Sequence, residues 1–455
     1  MVKNWSKIVL VSLLVIAVAA PVFATTARVR SLANTGDYLS DDSNVYRWYS
    51  TLPSYANMVQ AEMGTWGYSG YYTGPAQPGT GMLMDSRALG FNYACGEDGK
   101  WGTYRLTLNE NAVDHPGFYL VNPFISGASP GQLATDVETP YWVTPVNKWD
   151  VAGGWEVGET IVLGLAYTRS SMSVEYSDAE TPDDNMKLTS SWSTYGLGFT
   201  WTNNEDMIFD ATFTFASAGG KWENADTSFT PGNQVGDGVG DGETVDWDKS
   251  TGIELSARMF YDWKDYVTVV PVFQYAQAEY AMKRSPTGYS LPNGDKNMGF
   301  MIGLAFDIEV NGSNTLIWAS EYSYAKWEPS TNLADFAQES KTSVFPTFRL
   351  ALESEITAWL TTRVGAVHSN LSYTDKGGDI EQKATDGAFI PGEGFLVNGF
   401  SWYLGAGFNV AEWTIDMELA PETPFSIGYW LTGYSAFDEF GVAGPVYRLS
   451  GTYNF

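Results

Sequence analysis

Two histidines, one cysteine and one dense run of carboxylates are the residues of this chain whose types could do chemistry. A hydrolase built on histidine needs that histidine beside a nucleophile or a carboxylate. His115 precedes Pro116 in a polar connection and His368 stands in an alternating stretch, and neither lies in a recognisable catalytic motif. Cys95 has no second cysteine to pair with and no metal-ligand spacing around it. The chain is therefore read as a non-enzyme. The acidic run from Gly236 to Asp248 supplies hard oxygen atoms from Asp237, Asp241, Glu243, Asp246 and Asp248. Calcium takes six to eight such oxygens, but the spacing is not that of an EF-hand. A solvated acidic loop is the plainer reading, with Ca2+ binding as the alternative and sharing of divalent ions with lipid phosphates as a variant of it.

A second set of charges is spaced by strand geometry. Ile253 to Tyr261 alternates, with Ile253, Leu255, Ala257, Met259 and Tyr261 against Glu254, Ser256 and Arg258. Met207 to Phe215 sets five apolar residues against Asp210, Thr212 and Thr214, and Trp413 to Leu419 alternates in the same way. In Val344 to Glu353, Val344, Phe348, Leu350 and Leu352 are assigned to one face and Thr347, Arg349 and Glu353 to the other. A period of two sustained over about ten residues is the signature of strands that cross a bilayer. Charge on the lipid face costs about 2–4 kcal/mol at mid-depth, so the charged phase belongs inside. Arg105, Asp210, Glu254, Arg258, Glu321, Arg349, Glu353, Arg363, Asp416 and Glu418 are thereby the candidate pore-lining residues. Both signs occur, which suits either a transverse field across a water-filled pore or a salt-bridged interior around a plug.

The connections support a barrel over a sandwich. Short turns at Gly158-Glu159, Asn203 to Asp206, Lys264-Asp265, Asn311-Gly312, Glu355 to Ala358 and Glu412 alternate with long polar stretches. The long ones lie near residues 177–189, 218–249, 281–295, 329–339, 374–396 and 420–442. Such alternation is expected of an up-and-down barrel with one cramped rim and one free rim. Sixteen strands are read, starting near residues 55, 86, 101, 148, 160, 190, 206, 250, 266, 296, 314, 340, 359, 397, 413 and 443, with fourteen as the alternative. An even number leaves both ends of the barrel on the short-turn side.

The ends of the chain agree with export and insertion. Lys3 and Lys7 precede an apolar run from Ile8 to Ala20, and Val22-Phe23-Ala24 reads as a cleavage site for a signal peptide of residues 1–24. The last strand carries Tyr447, Leu449, Tyr453 and Phe455 on one face. Its Tyr453-Asn454-Phe455 ending resembles the signal read by the barrel-assembly machinery, with Ser450 where a glycine is usual. Residues 25–54 are not strand-like and include Ala27-Arg28, Gly36 and Asp41-Asp42. This segment resembles the N-terminal segment of the long-chain fatty-acid transporter superfamily, although the Asn-Pro-Ala element of that family is absent. The resemblance implies a luminal hatch over residues 25–54, with a plain periplasmic segment as the alternative, and the barrel is read over residues 55–455.

Composition narrows the class. Aromatic residues make up 15% of the chain and charged residues only 17%, yet no stretch after the leader is apolar for a membrane helix. That balance suits strands apolar on one face. The net charge of -28 argues against nucleic-acid binding. The expected protein is an all-β transmembrane up-and-down antiparallel barrel with a short N-terminal luminal plug, in the outer membrane of a Gram-negative-type bacterium. It would act as a porin-like channel for small solutes or hydrophobic compounds. The alternative is a scaffold that holds a surface or secretion complex through its long loops. Aromatics assigned to those loops, Trp222, Phe229, Tyr289, Phe389 and Phe395, suit a hydrophobic ligand or partner. Outer-membrane lipid is the expected surrounding, and a homo-oligomer is left open.

Overall fold

The computed structural model describes residues 26–66, 84–96, 99–110, 147–176, 186–203, 207–224, 244–279, 282–285, 296–328, 337–377, 380–385, 400–419 and 446–455. The strands are β1 (Met58–Trp66), β2 (Met84–Ala94), β3 (Thr103–Glu110), β4 (Asn147–Val157), β5 (Ile161–Tyr176), β6 (Met186–Asn203), β7 (Met207–Asn224), β8 (Thr244–Lys264) and β9 (Val267–Glu279). They continue as β10 (Met282–Ser285), β11 (Lys296–Asn311), β12 (Asn314–Glu328), β13 (Ala337–Thr357), β14 (Leu360–Gly377), β15 (Ile380–Thr385), β16 (Phe400–Val410), β17 (Trp413–Leu419) and β18 (Val446–Asn454).

All belong to one antiparallel sheet. Two are extensions rather than separate staves. β10 prolongs β9 along β8, with Met282 opposite Trp247 and Glu279 opposite Thr251. β15 pairs with the upper part of β14, while β16 pairs with its lower part. Sixteen strands therefore make the wall, and each starts within six residues of its expected position, β8 being the one that departs most. The sheet closes where β1 pairs with β18, Met58 opposite Asn454. The Phe455 N–H donates to the Asn57 carbonyl at 2.9 Å, so closure runs to the last residue. Phe455 stacks on Phe91 at 5.8 Å and on Tyr453 at 6.4 Å, and Tyr453 lies 4.6 Å from Trp413.

The wall is apolar outside. On β11, Phe300, Ile302, Leu304, Phe306, Ile308 and Val310 occupy successive outward positions, and Ile302 and Val310 are more than half exposed. Ten residues at about 3.3 Å each, tilted by roughly 40°, make a band about 25 Å tall. An aromatic row runs around the wall through Trp149, Tyr167, Tyr195 and Phe215 on β4 to β7. The described short turns, at Gly158, Asp265-Tyr266, Gly312-Ser313, Ala358-Trp359 and Ala411-Glu412, share the rim where β1 begins and β18 ends.

Several expectations are corrected. Val344 does not share the outward face with Phe348. It pairs with Ser323 and Leu371 while Thr347 pairs with Glu321 and Ser369, so a bulge at Phe345-Pro346 turns Val344 inward and Phe345 outward. A bulge inserts residues into one strand only and so reverses its side-chain phase. The run assigned to an acidic loop is strand from Thr244 onward. Asp246 stands opposite Lys221 and Lys283, so Asp246 and Asp248 lie in β8. Trp222 likewise lies in β7. The physical reason is that backbone pairing continues past the apolar band, where polar side chains carry no membrane signature. The other residues of that run, His115, Phe229, Tyr289, Phe389, Phe395 and the leader lie outside the described residues.

Phe455→Ala removes two ring stacks at the seam, each worth about 0.5–1.5 kcal/mol. A smaller folded, heat-modifiable fraction after refolding is expected on electrophoresis. A folded fraction equal to wild type would show that closure does not depend on this ring.

Candidate functional site

The interior is built from two sources, the inward phase of the strands and the residues that precede β1. The luminal segment begins with the short helix α1 (Thr26–Ser31) and turns at Ala33 and Asn34, both in left-handed conformation. Three 3-10 turns follow, Gly36–Tyr38, Asp42–Tyr46 and Tyr49–Tyr55. Asp41 caps the second, its Oδ1 accepting from the Ser43 N–H at 2.9 Å. Asn57, again left-handed, redirects the chain into β1. Among the described residues, the segment holds most of the largest fully buried side chains, including Trp48, Tyr38, Leu32 and Leu52.

Arginines tie the segment to the wall. Arg28 donates to both oxygens of Glu353 at 3.0 Å and to Asp41 at 2.5 Å. Glu353 also accepts from Arg363, which reaches Asp416 at 2.5 Å. Arg30 meets Glu418 at 3.3 Å. Arg47 bridges Asp37 at 2.9 Å and Glu254 at 3.4 Å. Two wall arginines hold backbone instead. Arg349 donates to the Ala33 carbonyl at 2.7 Å while gripping Glu321. Arg258 donates to the Leu39 carbonyl at 3.1 Å and to Asp210 at 2.9 Å, under the ring of Trp48. Arg105 lies 3.6 Å beneath the Tyr46 ring, which covers a guanidinium whose Nη atoms have no hydrogen-bond acceptor. Eight of the chain's eleven arginines take part in this luminal arrangement, counting Arg448 beside Glu62 and Glu418.

Glycines give the segment its seat. A Cβ on Gly198 would stand 2.6 Å from the Ser50 nitrogen, and one on Gly164 2.5 Å from the same atom. On Gly196 it would enter the Tyr49 ring, on Gly303 the Tyr38 hydroxyl and on Gly405 the Ser31 side chain. Close approach of a second backbone is one of the few reasons for glycine inside a strand. The Tyr38 hydroxyl donates to Glu321 at 3.0 Å, with its ring among Val270, Val272, Ala305 and Ala319.

Ionisation follows from this enclosure. Burial raises the Asp41 carboxyl, but Arg28 and the Ser43 N–H more than offset it, leaving Asp41 below the usual range. Asp37 is also low, because Arg47 and Arg258 overcome its burial. Asp42 goes the other way. Burial and the neighbouring Asp41 charge push it well above the usual range, although Thr452 donates to it at 2.9 Å. Burial pushes the Tyr46 hydroxyl up to about 12 against the pull of Arg105.

All ten candidate residues turn inward. They meet Arg28, Arg30, Arg47, Ala33, Tyr38, Leu39, Tyr46 or one another there. The luminal arginines and the glycine seat were missed at the sequence level. A usable signal existed, since Gly365 stands two residues from Arg363 on the same inward phase. At the short-turn rim, a cavity of roughly 660 Å³ is lined by Asp262, Lys264, Asp307, Glu309, Glu353 and Glu355. Glu353 thus faces both the cavity and Arg28. Cys95 is a free thiol at the end of β2, and His368 faces outward on β14. Among the described residues no group of three or more His, Cys, Asp or Glu side chains could hold a metal ion.

No protein-family model matches this chain, and no curated protein matches it. Solved structures resemble this chain at low sequence identity. A Pseudomonas aeruginosa FadL homologue is 13% identical over 96% of this chain and 100% of that one, with a TM-score of 0.39. The P. putida toluene transporter TodX is 9% identical over 91% and 95%, with a TM-score of 0.36. The copper transporter OprC is 12% identical over 80% of this chain and 60% of its own, with a TM-score of 0.38. This chain therefore spans only about three-fifths of that last protein. The barrel described above rests on the chain's own strand ladder.

Two outcomes follow for the seated segment. Arg258→Leu strands a carboxylate, Asp210, that is 2% exposed. Breaking such a pair costs about 3–5 kcal/mol, so the segment should be cleaved by added protease much faster than in wild type. Unchanged cleavage would mean that Arg258 does not hold it. For pH, the depressed Asp37 and Asp41 stabilise seating above the ordinary carboxylate value of about 3.9, and this is lost as pH falls through their lower seated values. The raised Asp42 weakens seating as pH rises from that ordinary value through its own higher one. Asp42→Asn should therefore slow cleavage at neutral and mildly alkaline pH and leave the acid limb unchanged. Faster cleavage at neutral pH would refute the assignment.

Proposed function

We propose that the protein is an outer-membrane channel whose barrel crosses the membrane and whose N-terminal luminal segment, within residues 25–54, is the hatch that controls passage of small solutes or hydrophobic compounds. The supporting observation is the way the segment is held. It adds no strand to the sheet. It is fastened by side-chain ion pairs and by van der Waals contact with glycines, both of which can be undone without breaking a rung of the wall. The apolar outer band, about 25 Å tall, and the polar interior support a place in a bilayer. The cavity beside Glu353 supports an exit on the short-turn side, directly next to Arg28. The wall carboxylates and arginines would face solute once the segment leaves, which is the pore-lining role proposed for the ten residues. Domain limits of 1–24 for a cleaved leader, 25–54 for the hatch and 55–455 for the barrel belong to the same reading.

The test is single-channel recording in planar bilayers. Full-length protein should give little steady current. A variant lacking residues 26–47, and Gly196→Val, which drives a side chain into the Tyr49 ring, should both give large steady steps. A silent deletion variant whose barrel is intact by heat-modifiable migration would refute the hatch and leave the scaffold reading.

A further inference from the structure

The luminal ion pairs fall into two kinds. Four inner-wall arginines hold a carboxylate of the wall itself, Arg258 on Asp210, Arg349 on Glu321, Arg363 on Asp416 and Arg448 on Glu62. Three wall carboxylates take their close cation from the luminal segment instead. Arg28 forks onto both oxygens of Glu353 at 3.0 Å, Arg30 meets Glu418 at 3.3 Å and Arg47 meets Glu254 at 3.4 Å. Without the segment, Glu254 keeps the Ser256 hydroxyl at 3.1 Å, Glu418 keeps Arg448 at 3.9 Å, and Glu353 shares Arg363 with Asp416. Arg448 and Arg363 each serve a second carboxylate already, so negative charge is in excess at all three places. Arg105 on β3, beneath the Tyr46 ring, offsets part of it. The three carboxylates also descend toward the short-turn rim. Glu254 lies ten residues from the end of β8 there, Glu418 five from the start of β17 and Glu353 four from the end of β13. Below them, the cavity beside Glu353 is lined by six carboxylates, and Lys264 is the one cationic side chain in its lining.

We infer that the solute is a small organic cation, bearing a guanidinium or ammonium group, and that Glu254, Glu418 and Glu353 are its successive binding points along the opened lumen. In the closed state the guanidinium groups of Arg47, Arg30 and Arg28 occupy those points. A planar cation forking onto a carboxylate is the strong form of this contact, and Arg28 already makes it on Glu353. A passage lined in excess by one sign of charge concentrates the opposite ion, and carboxylate linings select cations in channels generally. The acidic cavity at the exit extends the same field to the rim. Solute and segment need the same carboxylate oxygens. A cation therefore binds the unseated state better than the seated one and shifts the equilibrium toward opening.

The inference deepens the channel reading above and rests on it, and two measurements separate their failures. In the first, full-length Arg28→Gln/Arg30→Gln/Arg47→Gln is recorded in a planar bilayer under a potassium chloride gradient. Its reversal potential should lie well toward that of potassium, with potassium several-fold more permeant than chloride. Adding Glu254→Gln, Glu353→Gln and Glu418→Gln should remove most of that preference. A preference for chloride, or one unchanged by the added substitutions, would overturn the inference. Silence from a variant whose barrel is intact by heat-modifiable migration would count against the channel reading instead. The second measurement needs no current. In wild type, methylguanidinium chloride should speed protease cleavage of the luminal segment several-fold over potassium chloride at equal ionic strength. That excess should vanish in Glu254→Gln/Glu353→Gln/Glu418→Gln. Equal cleavage of wild type in the two salts, or an excess that persists in the triple variant, would overturn the cation sites whether or not the protein conducts.

Discussion

Closure of the sheet between β1 and β18 is the constraint on which everything else depends. In a bilayer an unpaired strand edge leaves backbone N–H and C=O groups in hydrocarbon at several kcal/mol each, so a spanning sheet must have no edge. Here the ladder runs from Met58 opposite Asn454 to the Phe455 N–H on the Asn57 carbonyl. Once the ring is closed, period-two side-chain geometry divides the chain into two surfaces. One faces outward and is apolar. The other faces the enclosed lumen and carries the charges.

That lumen sets a second problem. Ionised groups in an enclosed space need partners, and the inner wall has arginines and carboxylates on neighbouring strands. The residues before β1 complete the set. Arg28, Arg30 and Arg47 supply cations to Glu353, Glu418 and Glu254, and the carbonyls of Ala33 and Leu39 supply acceptors to Arg349 and Arg258. Glycines at inward positions let this backbone come within van der Waals reach of the wall. The segment is thus strongly specified in place yet joined to the barrel covalently only at β1. A part so held can be seated firmly and still be separable, which a paired strand could not be.

Much of this was legible in the sequence. Strong alternation in β7, β8 and β17 marked both faces, and turn chemistry at Gly158 and at Asn311-Gly312 marked one rim. Errors arose where the period-two signal stopped carrying information. At Phe345-Pro346 a bulge reversed Val344, because alternation holds only while both strands advance together. Above the apolar band, residues 244–248 continued as strand although their polar composition resembled a loop, because hydrogen bonding to β7 and β10 does not depend on side-chain polarity.

The sequence by itself determined the class of the wall, its sixteen strands and which charges turn inward, because those follow from local alternation and from the cost of charge in lipid. Tertiary structure alone decided what those charges meet. Arg28 and Glu353 are 325 positions apart, and Tyr38 and Glu321 are 283 apart. No local pattern encodes such a pairing, because it exists only after the sheet has closed and brought distant strands around one short segment.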